Sequence, residues 1–336
     1  MTQPTEHRAP RVLITTPYLE PGGTVDRMLR DAGIETVFGR LADREAAGRT
    51  LAECVADVVG VVAGTDSFSA EVIEAAPVLR ILSRCGVGHD NIDVAAANRR
   101  GVAVTITPGT NRVSVAEHVL ALMLNCARRI PQNVIAVRDG GWAQESGREL
   151  CGSTLGVIGL GSIGKSVTRA ALALGMRVVA HDPWLDEDFL KETGVEAQPL
   201  GSVLAAADFL TLHISLDEST RHLIDAAALR RMKPDAYLIN TARGGVVDEE
   251  ALADAVEAGL LAGAALDVTE QEPLPADSRL RGLDNILVTA HIAAATVEAR
   301  ARSGALAAQQ VIDLLTGSVP EHLVNPGRAD VRAGAR

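Results

Sequence analysis

An α/β fold built on two doubly wound parallel sheets is the architecture this sequence predicts. Three observations carry it. Short apolar runs alternate with helix-length amphipathic stretches along nearly the whole chain. That order lays helices on both faces of a parallel sheet. The alternation falls into two series, one running to about residue 107 and the other beginning at Thr154. With 336 residues the chain exceeds one typical domain and suits two. Hydrophobic residues make up 47% and aromatics only 2%, so the cores must be packed from Ala, Val, Leu and Ile.

In the first series VLIT (12–15), VVGVVA (58–63), RILS (80–83) and AVTI (103–106) read as strands, with helical AEVIEAA (70–76) and VAAANRR (94–100) between them. A long helix follows from Ser114 to Arg129, with Ser114 as N-cap and Glu117 completing a capping box. Its apolar residues fall on more than one face, which predicts burial or a subunit contact. The strands of the second series are LGVIG (155–159), RVVAH (177–181), FLTLH (209–213), AYLIN (236–240), GAALD (263–267) and ILVT (286–289). Helices are expected over Ile163–Leu174 and Asp248–Ala258. A last amphipathic helix, Thr296 to Leu315, is expected to cross back and complete the first domain. The first ten residues and the final ADVRAGAR read as loose tails.

Composition excludes several classes of partner. The net charge is −11 and no basic block occurs, which argues against nucleic acid, because phosphate binding needs a basic surface. Cys54, Cys85, Cys126 and Cys151 have no CxxC spacing and no histidine cluster beside them. Neither a metal site nor a disulfide framework is expected, and a reducing cytoplasm fits. The N-terminal apolar run is too short for a signal peptide, and no stretch reaches the roughly 18 apolar residues of a membrane span.

Chemistry first shows in GVIGLGSIGKSV (156–167), where Gly159, Gly161 and Gly164 stand at GxGxxG spacing between a strand and a helix. In that context the first glycine permits the tight turn and the second lets a pyrophosphate approach the backbone. The third allows close helix–strand packing, and the helix N-terminus supplies N–H donors. Asp182 ends the next strand, where a carboxylate accepts hydrogen bonds from the ribose hydroxyls and repels a 2′-phosphate. This favours NAD over NADP. As a plainer reading, Asp182 merely starts the turn at Pro183.

Three more polar groups lie at or just after strand ends, where open α/β sheets bind ligands. Arg243 lies in INTARGGVVDEE, where two glycines let the chain turn without bulk near a ligand. Glu272 lies in LDVTEQEPL, and His291 in LVTAHIAAAT. Each has a plainer reading as well: a loop salt bridge, a solvated acid, a core ring. Together they suit the reduction of a keto acid, which needs a hydride on carbon and a proton on oxygen. Histidine can give that proton near pH 7, a carboxylate can fix its tautomer, and arginine offers a planar fork to a carboxylate.

From about residue 55 to 326 the sequence resembles the D-isomer-specific 2-hydroxyacid dehydrogenases, most closely the phosphoglycerate-dehydrogenase type. SRCGVGHDNIDVAAANRRGV, NRVSVAEHVLALML, GVIGLGSIG, INTARGGVVDEEAL, LDVTEQEPL and TAHIAAAT carry the resemblance. It implies an NAD-dependent oxidoreductase with two Rossmann-like domains. A nucleotide domain (108–296) would be inserted into a substrate domain made of 1–107 and 297–336. Arg243 would hold the substrate carboxylate and carbonyl, His291 would be the acid/base, and Glu272 its partner. Cofactor contacts would come from Gly159, Gly161, Ser162, Ile163, Gly164, Asp182, His213, Thr220, Thr241, Ala242, Asp267, Ala293 and Ala294. Arg84, Val87 and Gly88 would bind substrate, with RCGVGHD (84–90) facing the cofactor across a cleft. A homodimer formed with help from the helix after Ser114 is also implied.

Departures from the family pattern matter for the substrate. Ala290 and Ser215 stand where proline is usual, a loss of rigidity more than of function. Where many phosphoglycerate dehydrogenases place an Arg-Ser pair, this chain reads Ala63-Gly64-Thr65-Asp66. Arg84 then remains as a phosphate partner, with Asp66 adding negative charge nearby. Phosphoglycerate, hydroxypyruvate or glyoxylate, larger keto acids, and phosphonate or sulfonate analogues all stay open. Some relatives use this fold as an NAD-sensing corepressor or scaffold. Such a protein would be expected to lose part of the Arg–Glu–His set, and this chain keeps all of it.

Overall fold

The structure is a computed structural model that describes residues 9–142 and 144–326. Residues 1–8 and ADVRAGAR, read above as tails, lie outside the described residues. The chain forms two compact units, one of residues up to Asn111 together with those from Thr296, the other Arg112–Ala295.

In the first unit β1 (Arg11–Ile14), β2 (Glu35–Phe38), β3 (Gly60–Ala63), β4 (Ile81–Arg84) and β5 (Ala103–Thr105) form a parallel sheet in the order β2-β1-β3-β4-β5. The Val297–Leu315 helix packs on it. Ala307, Ala308, Val311 and Leu314 meet Val12, Ile14, Val62 and Ile81. Each large aliphatic side chain so buried contributes about 2 kcal/mol. Beyond the helix, Asn325 accepts from the amide of Val104 and donates to the carbonyl of Val102. The edge strand β2 is partly exposed along its length and has no apolar run to announce it.

The second unit holds seven parallel strands: β6 (Thr154–Ile158), β7 (Arg177–His181), β8 (Glu196–Ala197), β9 (Phe209–Leu212), β10 (Tyr237–Asn240), β11 (Gly263–Leu266) and β12 (Ile286–Val288). Their order is β12-β11-β10-β9-β6-β7-β8, the doubly wound dinucleotide-binding order extended by one strand. Alternate residues feed opposite cores. Leu210, Leu238 and Ala264 face one, and Phe209, Ile239 and Ala265 face the other, as the two-residue period of a strand requires. Both faces are therefore dry and the polar work is left to the strand ends.

The long helix runs from Arg112 to Arg128, not from Ser114. Ser114 is buried inside it, two residues past its first residue. The turn through Gly109, at φ +74°, reverses the chain early enough for helix to begin two residues sooner. This helix packs on the Ser162–Ala173 helix and on β10 and β11.

Candidate active site

Two sets of strand ends in the second unit carry the polar groups. The first lies between β6 and β9, where the strand order reverses and such sheets bind ligands. Gly159 has φ +93°, and a Cβ there would sit 2.5 Å from the carbonyl oxygen of His213. Gly164 is equally constrained, since its Cβ would fall 2.1 Å from the carbonyl of Gly159. Gly161 differs. Its Cβ would meet nothing within 4 Å, so a side chain there would only fill open space above the loop. Gly161 caps the Ser162–Ala173 helix without a side-chain hydrogen bond. The first-turn amides of Ser162 and Ile163 thus face that space with the positive end of the helix dipole. A dinucleotide pyrophosphate fits this cradle.

Asp182 closes the cradle. One carboxylate oxygen accepts from the amide of Leu160 at 2.6 Å and the other from the amide of Trp184 at 2.7 Å. The turn at Pro183 and the tie to the glycine loop are both real, and each oxygen keeps capacity for another donor. Nearby, burial pushes the imidazole of His213 down to about 3, so the ring is neutral, with Nε2 against the hydroxyl of Thr211 at 3.0 Å. The hydroxyl of Thr241 is buried and has no partner within the described residues, as a ligand contact would leave it. Ala242 donates its amide to Asn240. Thr220 is engaged in its own turn, donating to the carbonyl of Ser215 at 2.7 Å and accepting from the amide of Asp217 at 2.8 Å.

The second set lies at the ends of β10, β11 and β12. His291 Nδ1 is 2.8 Å from a carboxylate oxygen of Glu272, and both side chains are about two-fifths exposed. Burial alone would raise the Glu272 carboxyl. The hydrogen bond and charge of His291, the amide of Thr269 and the charge of Arg243 together hold it below the ordinary range. Gly244 explains how Arg243 comes so near. A Cβ there would lie 1.9 Å from the carbonyl carbon of Thr269. The glycine is demanded by the neighbouring backbone, not by bulk near a ligand as the sequence suggested. With Glu272 ionised it can only accept, so the proton sits on Nδ1 and the other ring nitrogen, Nε2, is left to exchange protons.

Asp267, for which the resemblance implies a cofactor contact, directly follows β11. Its side chain is wholly buried, and its oxygens accept from Thr289 Oγ1 at 2.6 Å and from the amides of Ile292 and Ala293, each at 2.8 Å. Burial would raise its pKa, but hydrogen bonds from His118, Thr289 and those two amides hold it below the ordinary range. The amide of Ala293 is thereby occupied, while Ala294 is only partly buried. His118 and Thr289 were not legible as site residues. The sole signal for His118 is a histidine beside Glu117 on a mostly apolar helix.

In the first unit, RCGVGHD follows β4. The amide of Gly86 donates to Thr107 Oγ1 at 2.7 Å, and Thr107 Oγ1 lies 2.9 Å from Ser303 Oγ. Among the described residues the amides of Val87 and Gly88 have no acceptor. Arg84 donates to the carbonyl of Cys85. Asp66 is not the open negative charge expected above. Arg44, itself buried, donates to it at 2.6 Å and to the carbonyl of Gly39 at 2.6 Å.

Residues 120–293 match the family described as D-isomer specific 2-hydroxyacid dehydrogenase, NAD binding domain. A glyoxylate reductase of Korarchaeum cryptofilum is 44% identical over 274 residues, covering 80% of this chain and 82% of that protein. A D-3-phosphoglycerate dehydrogenase of Archaeoglobus fulgidus is 40% identical over 317 residues. The match takes in 94% of this chain but only 59% of that longer protein. Among solved structures, D-lactate dehydrogenase from Aquifex aeolicus, complexed with NAD and lactic acid, aligns with a TM-score of 0.82. It is 28% identical, and the alignment covers 94% of this chain and 98% of that one. No helix among the described residues is long and apolar enough to cross a membrane. The chain therefore belongs to the D-isomer-specific 2-hydroxyacid dehydrogenase family, whose NAD-binding domain lies within its Arg112–Ala295 unit.

Proposed function

We propose that the protein interconverts a small, unphosphorylated 2-keto acid and the D-2-hydroxy acid, with NAD as cofactor. The observation that carries this reading is the 2.8 Å His291–Glu272 pair beside Arg243. When bound, the nicotinamide cofactor supplies or accepts the hydride. In reduction, His291 Nε2 gives its proton to the keto oxygen. In oxidation it takes the hydroxyl proton back, while Glu272 stabilises the charged ring through Nδ1. Arg243 presents a planar fork to the substrate carboxylate and carbonyl. Val87 and Gly88 add backbone amides to that carboxylate, and Arg84 braces their loop. The glycine loop with Ser162 and Ile163 holds the pyrophosphate, Asp182 the ribose, and Thr241 and His213 line the rest of the cofactor site.

The preference for an unphosphorylated substrate rests on charge. The loop after β3 presents no unpaired cation, because Arg44 is buried against Asp66. Glyoxylate and hydroxypyruvate suit such a site better than a substrate with a terminal phosphate. A scaffold would have no need of an ionised Glu272 held on the histidine. Self-association is part of the reading. Leu124, Val134, Ile135 and Val137, on two successive helices, are exposed, and a homodimer would cover them.

A panel of 2-keto acids tests the function with NADH and with NADPH, followed at the nicotinamide absorbance. Turnover of glyoxylate or hydroxypyruvate with NADH is expected, with at least tenfold lower kcat/KM for 3-phosphohydroxypyruvate, equivalent to about 1.4 kcal/mol. Faster turnover of the phosphorylated acid would reverse the substrate assignment, and no turnover of any keto acid would leave only the scaffold.

A further inference from the structure

His291 stands in a backbone conformation that histidine seldom adopts. Its φ is +52°, in the left-handed region, which costs an L-residue about 1–2 kcal/mol. The surroundings must hold it there. One buried carboxylate does most of this. The amide of His291 donates to the Asp267 carbonyl at 2.8 Å. The next two amides, Ile292 and Ala293, donate to the two Asp267 carboxylate oxygens. Thr289, two residues before the histidine, donates its hydroxyl to the same carboxylate. Asp267 thus grips the turn on both sides of His291.

A wholly buried carboxylate is costly unless it is hydrogen-bonded and its charge is compensated. His118 adds a further hydrogen-bond donor from the Arg112–Arg128 helix. Its Nε2 lies 3.4 Å from Asp267 Oδ1 and 3.3 Å from Thr289 Oγ1. The Thr289 hydroxyl proton already points to Asp267, so its oxygen can only accept, and His118 must carry its proton on Nε2. Nothing in the proposed proton transfer uses this second histidine.

We infer that His118 is a positioning residue for the reaction. It donates through Nε2 to the Asp267–Thr289 pair and thereby fixes the turn that aims His291, without exchanging protons with substrate. The inference rests on the function proposed above.

His118→Leu removes the donor. His118→Gln keeps an N–H at similar reach and serves as the conservative variant. With saturating NADH, His118→Leu is expected to lower kcat about tenfold or more, with KM for the keto acid and NADH affinity changed less than about threefold. His118→Gln should recover most of the loss. In a His291→Ala background, His118→Leu should cost almost nothing further, because its effect passes through the missing ring. An equal loss in both backgrounds, a kcat unchanged in His118→Leu, or a parallel loss of NADH binding would overturn the inference. NMR of the NADH-bound protein gives a readout independent of turnover. The His291 ring signals, assigned with His291→Ala, should move in His118→Leu and return in His118→Gln. Unmoved signals overturn the positioning role even if the enzyme is active. A native protein that turns over no keto acid overturns the proposed function while leaving the ring signals to decide this one.

Discussion

The strand ends of the two units answer the same architecture with different chemistry. Both sheets are parallel and largely apolar on their buried faces, with most of their polar groups where strands stop. In the Arg112–Ala295 unit those ends carry Arg243, Glu272 and His291, with two carboxylates held below their ordinary range. In the other unit the stretches after β4 and β5 add neutral groups, the Gly86, Val87 and Gly88 amides and the Thr107 hydroxyl paired with Ser303, beside the charged Arg84 that ends β4. Its buried Arg44 is paired with Asp66 and its buried Asp26 with Arg30. Fixed neutral donors bind an anion equally well across pH, whereas a histidine–carboxylate pair changes with pH. On the proposed function, the pH dependence of the reaction should therefore come from the His291–Glu272 pair, and the Val87 and Gly88 amides would contribute only to substrate affinity.

The sharpest break would come at the titrating pair. His291→Ala should lower turnover by on the order of 10²–10⁴. Glu272→Gln keeps the ring's partner but removes its charge. Glu272 has a depressed pKa, so it is ionised at neutral pH, and that charge favours the imidazolium. Reduction needs the protonated ring and oxidation the neutral one. In Glu272→Gln the upper pH limit of reduction should move down, and oxidation should persist to more acidic pH. Rates measured in both directions against pH decide it. Unmoved limits in a variant that still binds NADH would reduce the pair to a structural contact. The same depressed pKa gives a stability contribution present above the unfolded value, 4.5. It is lost as pH falls through the lower folded value, so Glu272→Gln should also be less sensitive to acid unfolding.

Arg243→Lys comes next. The charge survives and the bidentate fork does not. A loss of about 2 kcal/mol in kcat/KM is expected, roughly 30-fold, shared between a higher KM for the keto acid and a lower kcat. NADH affinity should stay within about threefold. A kinetically silent Arg243→Lys would return the arginine to a loop role and leave the charged unit without its substrate anchor.

Much of this was legible because it is local. GxGxxG between strand and helix, an acid ending the next strand, and polar residues just past β10, β11 and β12 can each be read within a short window. The unread features are those whose partners lie far along the chain. His118 meets Thr289 across 171 residues, so nothing near either position announces the contact. Asp66 looked like free negative charge because Arg44, 22 residues earlier, sits in an undistinguished helical stretch. Gly244 was read as relief for a ligand, whereas the Thr269 backbone excludes any side chain there. Ser114 matches a capping pattern, but the turn through Gly109, five residues upstream, lets the helix start at Arg112. Asp267 can be named at the strand end, but the four hydrogen bonds that converge on it come from residues no short window shows.

The smallest expected effect tests the neutral side of the contrast. Thr107 is fully buried. Its hydroxyl accepts from the Gly86 amide and pairs with Ser303. Thr107→Val keeps the shape and removes those bonds, leaving a buried N–H and a buried hydroxyl without their partner. That should cost about 1–3 kcal/mol in stability, read as a lower thermal midpoint. If the β4 loop supplies amides to the substrate carboxylate, loosening it at Gly86 should raise KM for the keto acid about three- to tenfold, or about 0.7–1.4 kcal/mol. Turnover at saturating substrate should fall far less than in Arg243→Lys. The two pH limits should stay where the native enzyme has them, because no titrating group has been touched. Movement of either limit in Thr107→Val would break the division of labour between the units. An unchanged KM despite the lower midpoint would confine the hydroxyl network to stability and remove the β4 loop from the substrate site.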